Sequence, residues 1–192
     1  MEIADFEQQL AAGTRAFSKL SLANADFWQR DLRRLNLQGA ELRNVDLRFA
    51  DLSYVNLAGA KLTNVDLRSA NLFQANLAGA RLSPVDFSGA NLHAADLQGA
   101  DMPGVQMRAV HLTVANLRKA NLTGANLQGA NLTKTNVDGT NFTRAKLIEA
   151  ILSGTDLSRA ITVGAELSER EAAVSEEPVP EIETGSSESQ PT

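Results

Sequence analysis

The sequence predicts an all-β fold, a four-sided parallel β-solenoid, and three patterns carry that expectation. The first is a five-residue repeat (AELRN, VDLRF, ADLSY, VNLAG, AKLTN, VDLRS, ANLFQ, ANLAG). It runs from Leu22 to Leu167 without insertion, giving thirty pentads. With the central apolar residue as position i, Leu fills it in 23 pentads, Phe at 27, 87 and 142, and Met at 102 and 107. The second pattern is glycine placement: all 11 glycines between Leu22 and Leu167 fall at i+2. The third is a weaker repeat at twenty residues, seen in Asp26, Asp46, Asp66 and Asp86 and in Val45, Val65, Val85 and Val105.

A period of five fits neither a helix of 3.6 residues per turn nor a strand of period two. A short extended piece followed by a corner satisfies it. In that piece i−2 and i point one way, while i−1 and i+1 point the other. Position i−2 is correspondingly small or aliphatic, with 18 Ala and six Val, and the outlier is Arg30. Position i+2 must turn the chain, which selects Gly. Asn or Asp occupies i−1 in 20 of thirty pentads, where its side chain can bond nearby backbone and support the turn. Four pentads per coil stack the twenty-residue sets into ladders. Thirty pentads then make about seven and a half coils and a rod about 36 Å long. The core is a column of Leu beside a column of Ala and Val, too narrow for a ligand cavity.

The ends follow the same logic, since an open coil exposes unpaired strand groups and needs a cover. Residues 1–19 read as an N-terminal cap. Ile3, Phe6 and Leu10 share one face of a helix of about ten residues ending near Gly13. The solenoid spans 20–169. Its pattern decays at Ile151, Ile161 and Thr162, and a short helix around Leu167–Val174 is expected to close it. Within the terminal stretch 170–192, EEPVPEIETGSSESQPT is rich in Pro, Ser and Glu and reads as a disordered acidic tail.

The A(N/D)LXX pattern resembles the pentapeptide-repeat proteins over about 150 of the 192 residues. The resemblance implies a right-handed quadrilateral β-helix. The leading segment FEQQLAAGTRAFSKLSL is similar to the N-terminal cap of cyanobacterial members, including a regulator of heterocyst differentiation. That likeness implies a regulatory role in a cytoplasmic process. Some members of the family imitate DNA and protect or inhibit DNA gyrase, which makes gyrase modulation the alternative function.

Composition narrows the chemistry. The chain has no Cys and two His, His93 and His111, which argues against thiolate chemistry, disulfides and a metal centre. No Ser–His–Asp set or phosphate-cradling loop can be assembled, so neither an enzyme, a cofactor nor a small-molecule substrate is expected. No 18-residue apolar run is present, and Glu2, Asp5 and Glu7 stand where a signal peptide would carry positive charge. The expected location is the cytoplasm, without membrane insertion. From Glu166 to Thr192 the chain carries eight Glu and one Arg, leaving residues 1–165 at +2. A near-neutral body suits neither DNA mimicry nor nucleic-acid binding.

Two outward features stand out. Asp26, Asp46, Asp66 and Asp86 stack along the rod with Arg48 and Arg68 on the same outward face, an expected ion-pair ladder. A second stripe, Glu41, Lys61, Arg81 and Asp101, offers opposite charges in register. The candidate partner-binding surface is aromatic. Arg33, Ser53, Phe73 and His93 share one outward column, Arg34, Tyr54 and Gln74 share the corner beside it, and Phe49 occupies the adjoining corner. Exposed aromatics flanked by Arg typify binding patches. The function read from the sequence is a protein–protein interaction module, with a purely structural scaffold as a further alternative. Its expected state is a monomer or an end-to-end dimer.

Overall fold

The computed structural model describes residues 1–168. Helix α1 (Ile3–Ala11) precedes a rod of stacked coils. Five short strands form one parallel sheet: β1 (Ser21–Ala23), β2 (Glu41–Asp46), β3 (Lys61–Asp66), β4 (Arg81–Leu82) and β5 (Val85–Asp86). The order is β1-β2-β3-β4, with β5 also pairing β3. Register steps by twenty throughout, as in Leu22↔Leu42 and Leu42↔Leu62. The other coil sides pair through isolated parallel bridges at the same step, from Ala16↔Asn36 to Lys146↔Glu166. The result is the quadrilateral β-solenoid the repeat predicts.

The backbone explains the period of five. At Leu77 the amide donates to Asp96 O of the next coil (2.7 Å), and the Asn76 amide donates back to Val55 O (2.9 Å). The Ala80 amide then closes a turn onto Leu77 O (3.0 Å), with Gly79 at φ +64. A turn whose third residue needs positive φ favours Gly or Asn there. Every corner from Lys19 to Gly164 adopts positive φ except Pro84 and Arg159. Seventeen of these corners are not glycine. Proline cannot adopt positive φ, and Pro84 follows a cis Ser83–Pro84 bond in the gap that separates β4 from β5. The Asn76 side-chain oxygen accepts from the Ala78 amide (3.0 Å), and the same bond recurs at Asp46, Asp86, Asn91 and Asn141. That bond is why Asn and Asp dominate i−1.

Side chains at i−2 and i are buried from Phe17 to Leu147 except at Arg15 and Arg30. Thr135 and Thr140 take the place of Ala in the inner column, and their hydroxyls donate to Leu112 O (2.8 Å) and Leu117 O (2.7 Å). Among the described residues no buried side-chain polar atom lacks a partner. A void of about 20 Å³ beneath Phe6 is lined only by Phe and Leu side chains such as Phe27, Leu32 and Leu35.

The structure departs from the sequence reading at the N-terminal end. The ladder begins one pentad early. Phe17 is buried and its amide bonds Asn36 O (2.7 Å), so residues 15–19, read as cap, already belong to the first coil. Arg30, at an inner-column position, points outward and pairs with Glu7 of α1. Phe6 of α1 takes the space above the first coil, with ring centroids 4.6 Å from Phe17 and 5.4 Å from Phe27. The helix closes at Gly13 (φ +90), where the Thr14 amide bonds Gln9 O and the Gly13 amide bonds Leu10 O. This is the double bond pattern of a glycine-terminated helix. The expected helix over Leu167–Val174 and the disordered acidic tail lie outside the described residues, apart from Leu167 and Ser168, which are not helical.

Two outcomes test this packing. Leu77 is fully buried, so Leu77→Asp leaves an unpaired charge in a dry column and should abolish the cooperative thermal transition. Val114 is a β-branched residue at a corner (φ 60) with half its surface exposed. The left-handed region costs a non-glycine residue about 1–2 kcal/mol, partly offset by the greater chain entropy of Gly. Val114→Gly should therefore raise stability by about 0.5–1 kcal/mol, seen as a higher melting temperature.

Candidate partner-binding face

Four of the six candidate residues form one chain of contacts across successive coils. The Arg34 guanidinium lies 5.5 Å from the Tyr54 ring centre. Tyr54 meets Phe73 edge to face at 5.5 Å, and Phe73 stacks on His93 at 5.5 Å with an interplanar angle of 1°. The coil spacing of about 4.8 Å sets this geometry, because residues twenty apart sit directly above one another. Phe73 and His93 are half-buried in that stack, whereas Tyr54 is 47% exposed.

The remaining two candidates behave differently. Arg33 binds Asp31 through Nε (2.9 Å) and a terminal nitrogen (2.7 Å), and it approaches Asp51 at 3.7 Å. Phe49 is 54% exposed and makes no ring contact among the described residues, so the aromatic residues do not form one continuous ring surface. Ser53, expected outward, is buried because its hydroxyl and amide both bond Asp51. Asn71 of the next coil donates to Ser53 Oγ (2.8 Å). Between the corners at Phe49 and Tyr54 the face therefore has a small, internally satisfied polar floor. Trp28, outside the candidate set, is 48% exposed one coil before Arg48.

The Asp–Arg ladder forms at Asp46, Asp66 and Asp86, while Asp26 has no ion pair among the described residues and accepts from the Trp28 amide (2.9 Å). Arg48 binds Asp46 (2.6 Å) and reaches Asp66 (3.7 Å), and Arg68 binds Asp66 (2.6 Å) and reaches Asp86 (4.0 Å). A shallow open depression of about 640 Å³ lies over it, bordered by Asn44, Pro84 and Gln106. The rod surface is thus not flat on this side, but its arginines are already engaged. The second stripe does not pair: Glu41 lies 3.9 Å from Arg43 instead of bonding Lys61, and Asp101 accepts from Asn121 (2.8 Å). Among the described residues no group of His, Asp and Glu is placed to hold a metal ion.

This repeat geometry has a match. Eight copies of the family described as Pentapeptide repeats align over residues 17–48, 50–89, 90–129 and 125–161. The chain belongs to the pentapeptide-repeat family. A similar solved structure is HetL, a pentapeptide repeat protein involved in heterocyst differentiation regulation from the cyanobacterium Nostoc sp. strain PCC 7120. It is 27% identical, covers 86% of this chain and 94% of its own, and gives a TM-score of 0.53. Another Nostoc pentapeptide repeat protein, alr5209, is 30% identical over 87% and 97% of the two chains, with a TM-score of 0.24. QnrB1, a plasmid-mediated fluoroquinolone resistance protein, is 16% identical over 83% and 97%, with a TM-score of 0.38. No curated protein sequence matches the chain. No described helix is long and apolar enough to cross a membrane.

The ion pairs carry a pH signature. Hydrogen bonds from Arg33 hold the Asp31 carboxyl down at about 2, and those from Arg48 lower Asp46. At Asp66 burial pushes the carboxyl up, but the Arg68 bonds together outweigh it and the net shift is downward. A carboxyl lowered in the folded state stabilises above its unfolded value of about 3.9, and loses that contribution as pH falls toward the folded value. Melting temperature should therefore fall between about pH 4 and 2. Arg33→Gln should flatten that fall, read by thermal melts across the pH series. The pairs are exposed, so each contributes little at neutral pH.

Proposed function

We propose that this chain is a non-enzymatic protein–protein interaction module, regulatory in role, that binds a protein partner through the face bearing Arg33, Arg34, Phe49, Tyr54, Phe73 and His93. The observation that carries this reading is the concentration of exposed Trp28, Phe49 and Tyr54 on neighbouring sides of one end of a rigid rod. Trp, Tyr and Arg are the residues most often found to dominate binding energy. The likeness to HetL, whose description names differentiation regulation, supports a regulatory role. A cytoplasmic location fits that role. The internally neutralised Asp–Arg ladder weighs against DNA mimicry, which needs a strongly negative rod.

Affinity capture from the source organism tests the proposal, comparing the intact chain with a Phe49→Ala/Tyr54→Ala variant. Phe73 stays in place, because its two ring contacts give it a share in stability of about 0.5–1.5 kcal/mol each. The variant should melt within a few degrees of the parent and lose its specific partner. Unchanged capture would remove this face from consideration.

A further inference from the structure

We infer that the surface from Phe49 to Tyr54 takes a partner segment that is apolar against these two rings and acidic opposite Arg34. This rests on the interaction function proposed above and specifies the chemistry of the partner. Three observations converge on it.

Phe49 and Tyr54 both stand at corners with positive φ, at 58 and 61, where the backbone favours glycine. Tyr54 recovers something through Phe73 and Arg34. Phe49 lies exposed without a ring contact, so its side chain answers no need of the rod that these contacts reveal. The floor between the corners, Asp51, Ser53 and Asn71, is bonded to itself. It therefore leaves recognition chiefly to the apolar rims. Finally, the charges around the face are mostly engaged. Arg33 is committed to Asp31 and Asp51, and Arg48 and Arg68 to their ladder. Arg34 lies over Tyr54 with no carboxylate of the described residues within ion-pair distance, so the local charge it presents there is positive. A carboxylate of the partner complements it, placed beside an apolar side chain that covers the rings.

A display library of random linear 12-residue peptides, selected on the intact 192-residue chain, reads this directly. Parallel selections use Phe49→Gly and Arg34→Glu. Phe49→Gly relieves the corner, so it should melt at or above the parent temperature while enriching the parent's peptides at least tenfold less. The enriched peptides should combine Asp or Glu with Leu, Ile, Phe or Trp. Arg34→Glu should shift the selected charge toward Lys and Arg. Equal enrichment on Phe49→Gly, or selected peptides without an acidic excess, overturns the inference. If capture from the organism depends on Phe49 and Tyr54 but the selected charge is indifferent to Arg34, the interaction function stands and the acidic partner falls.

Discussion

The fold depends on one local feature: at all corners from Lys19 to Gly164 but two, the fifth residue adopts a left-handed backbone, and four short sides close into a square. Each side is too short to form an independent strand, and beyond its corner turns its amides and carbonyls are satisfied by the coil above and the coil below. The corner turn therefore fixes the register of the whole rod. Asn and Asp at i−1 hold the turn from outside through the amide two residues on, while Leu at i fills the space inside it. Glycine makes the corner cheap, yet most corners are occupied by something else. The lattice tolerates this because coil-to-coil hydrogen bonds and a dry apolar column fix each corner from both sides.

That division leaves the outer surface with little part in holding the coils together. The Asp–Arg ladder illustrates it. Each arginine binds mainly the aspartate of its own coil and reaches the next at 3.7–4.0 Å, so it adds a weak link between coils already joined by backbone bonds. The surface columns are consequently free to vary in chemistry, while the inner columns are not. A specific function in such a molecule has to be sought outside, where a residue's identity is not dictated by the coil.

Much of this was legible in the sequence, because period five and period twenty are properties of the backbone lattice. The inward sets, the Asx bonds and the Asp46–Arg48 and Asp66–Arg68 pairs follow from position alone. What escaped depends on reach and on ends. Phe17 carries a weak repeat signal, with Ala16 where Asn or Asp marks most pentads and Arg15 at the inner column, although its burial and its bond to Asn36 place it in the ladder. Arg30 occupies an inner-column position but turns out, because Phe6 of the helix fills the end of the rod. A column assignment says which side chains are neighbours, not which touch. Tyr54 and Phe73 meet diagonally across coils, Phe49 meets neither, and Glu41 turns to Arg43 when Lys61 stands above it.

Bulk at a corner is not by itself a mark of function. Val114 is as strained and as exposed as Phe49, but its column continues into Ala94 and Lys134. Phe49 differs in its company. Within two coils of it lie Trp28, Tyr54 and the guanidinium of Arg34, all exposed, while the nearby carboxylates of Asp31, Asp46, Asp51 and Asp66 are held by arginines or by Ser53. The rod is rigid, so these groups need little ordering before contact, and desolvating the rings releases water without breaking an internal ion pair. Low ordering entropy and apolar area free of buried charge together favour association at this end of the rod.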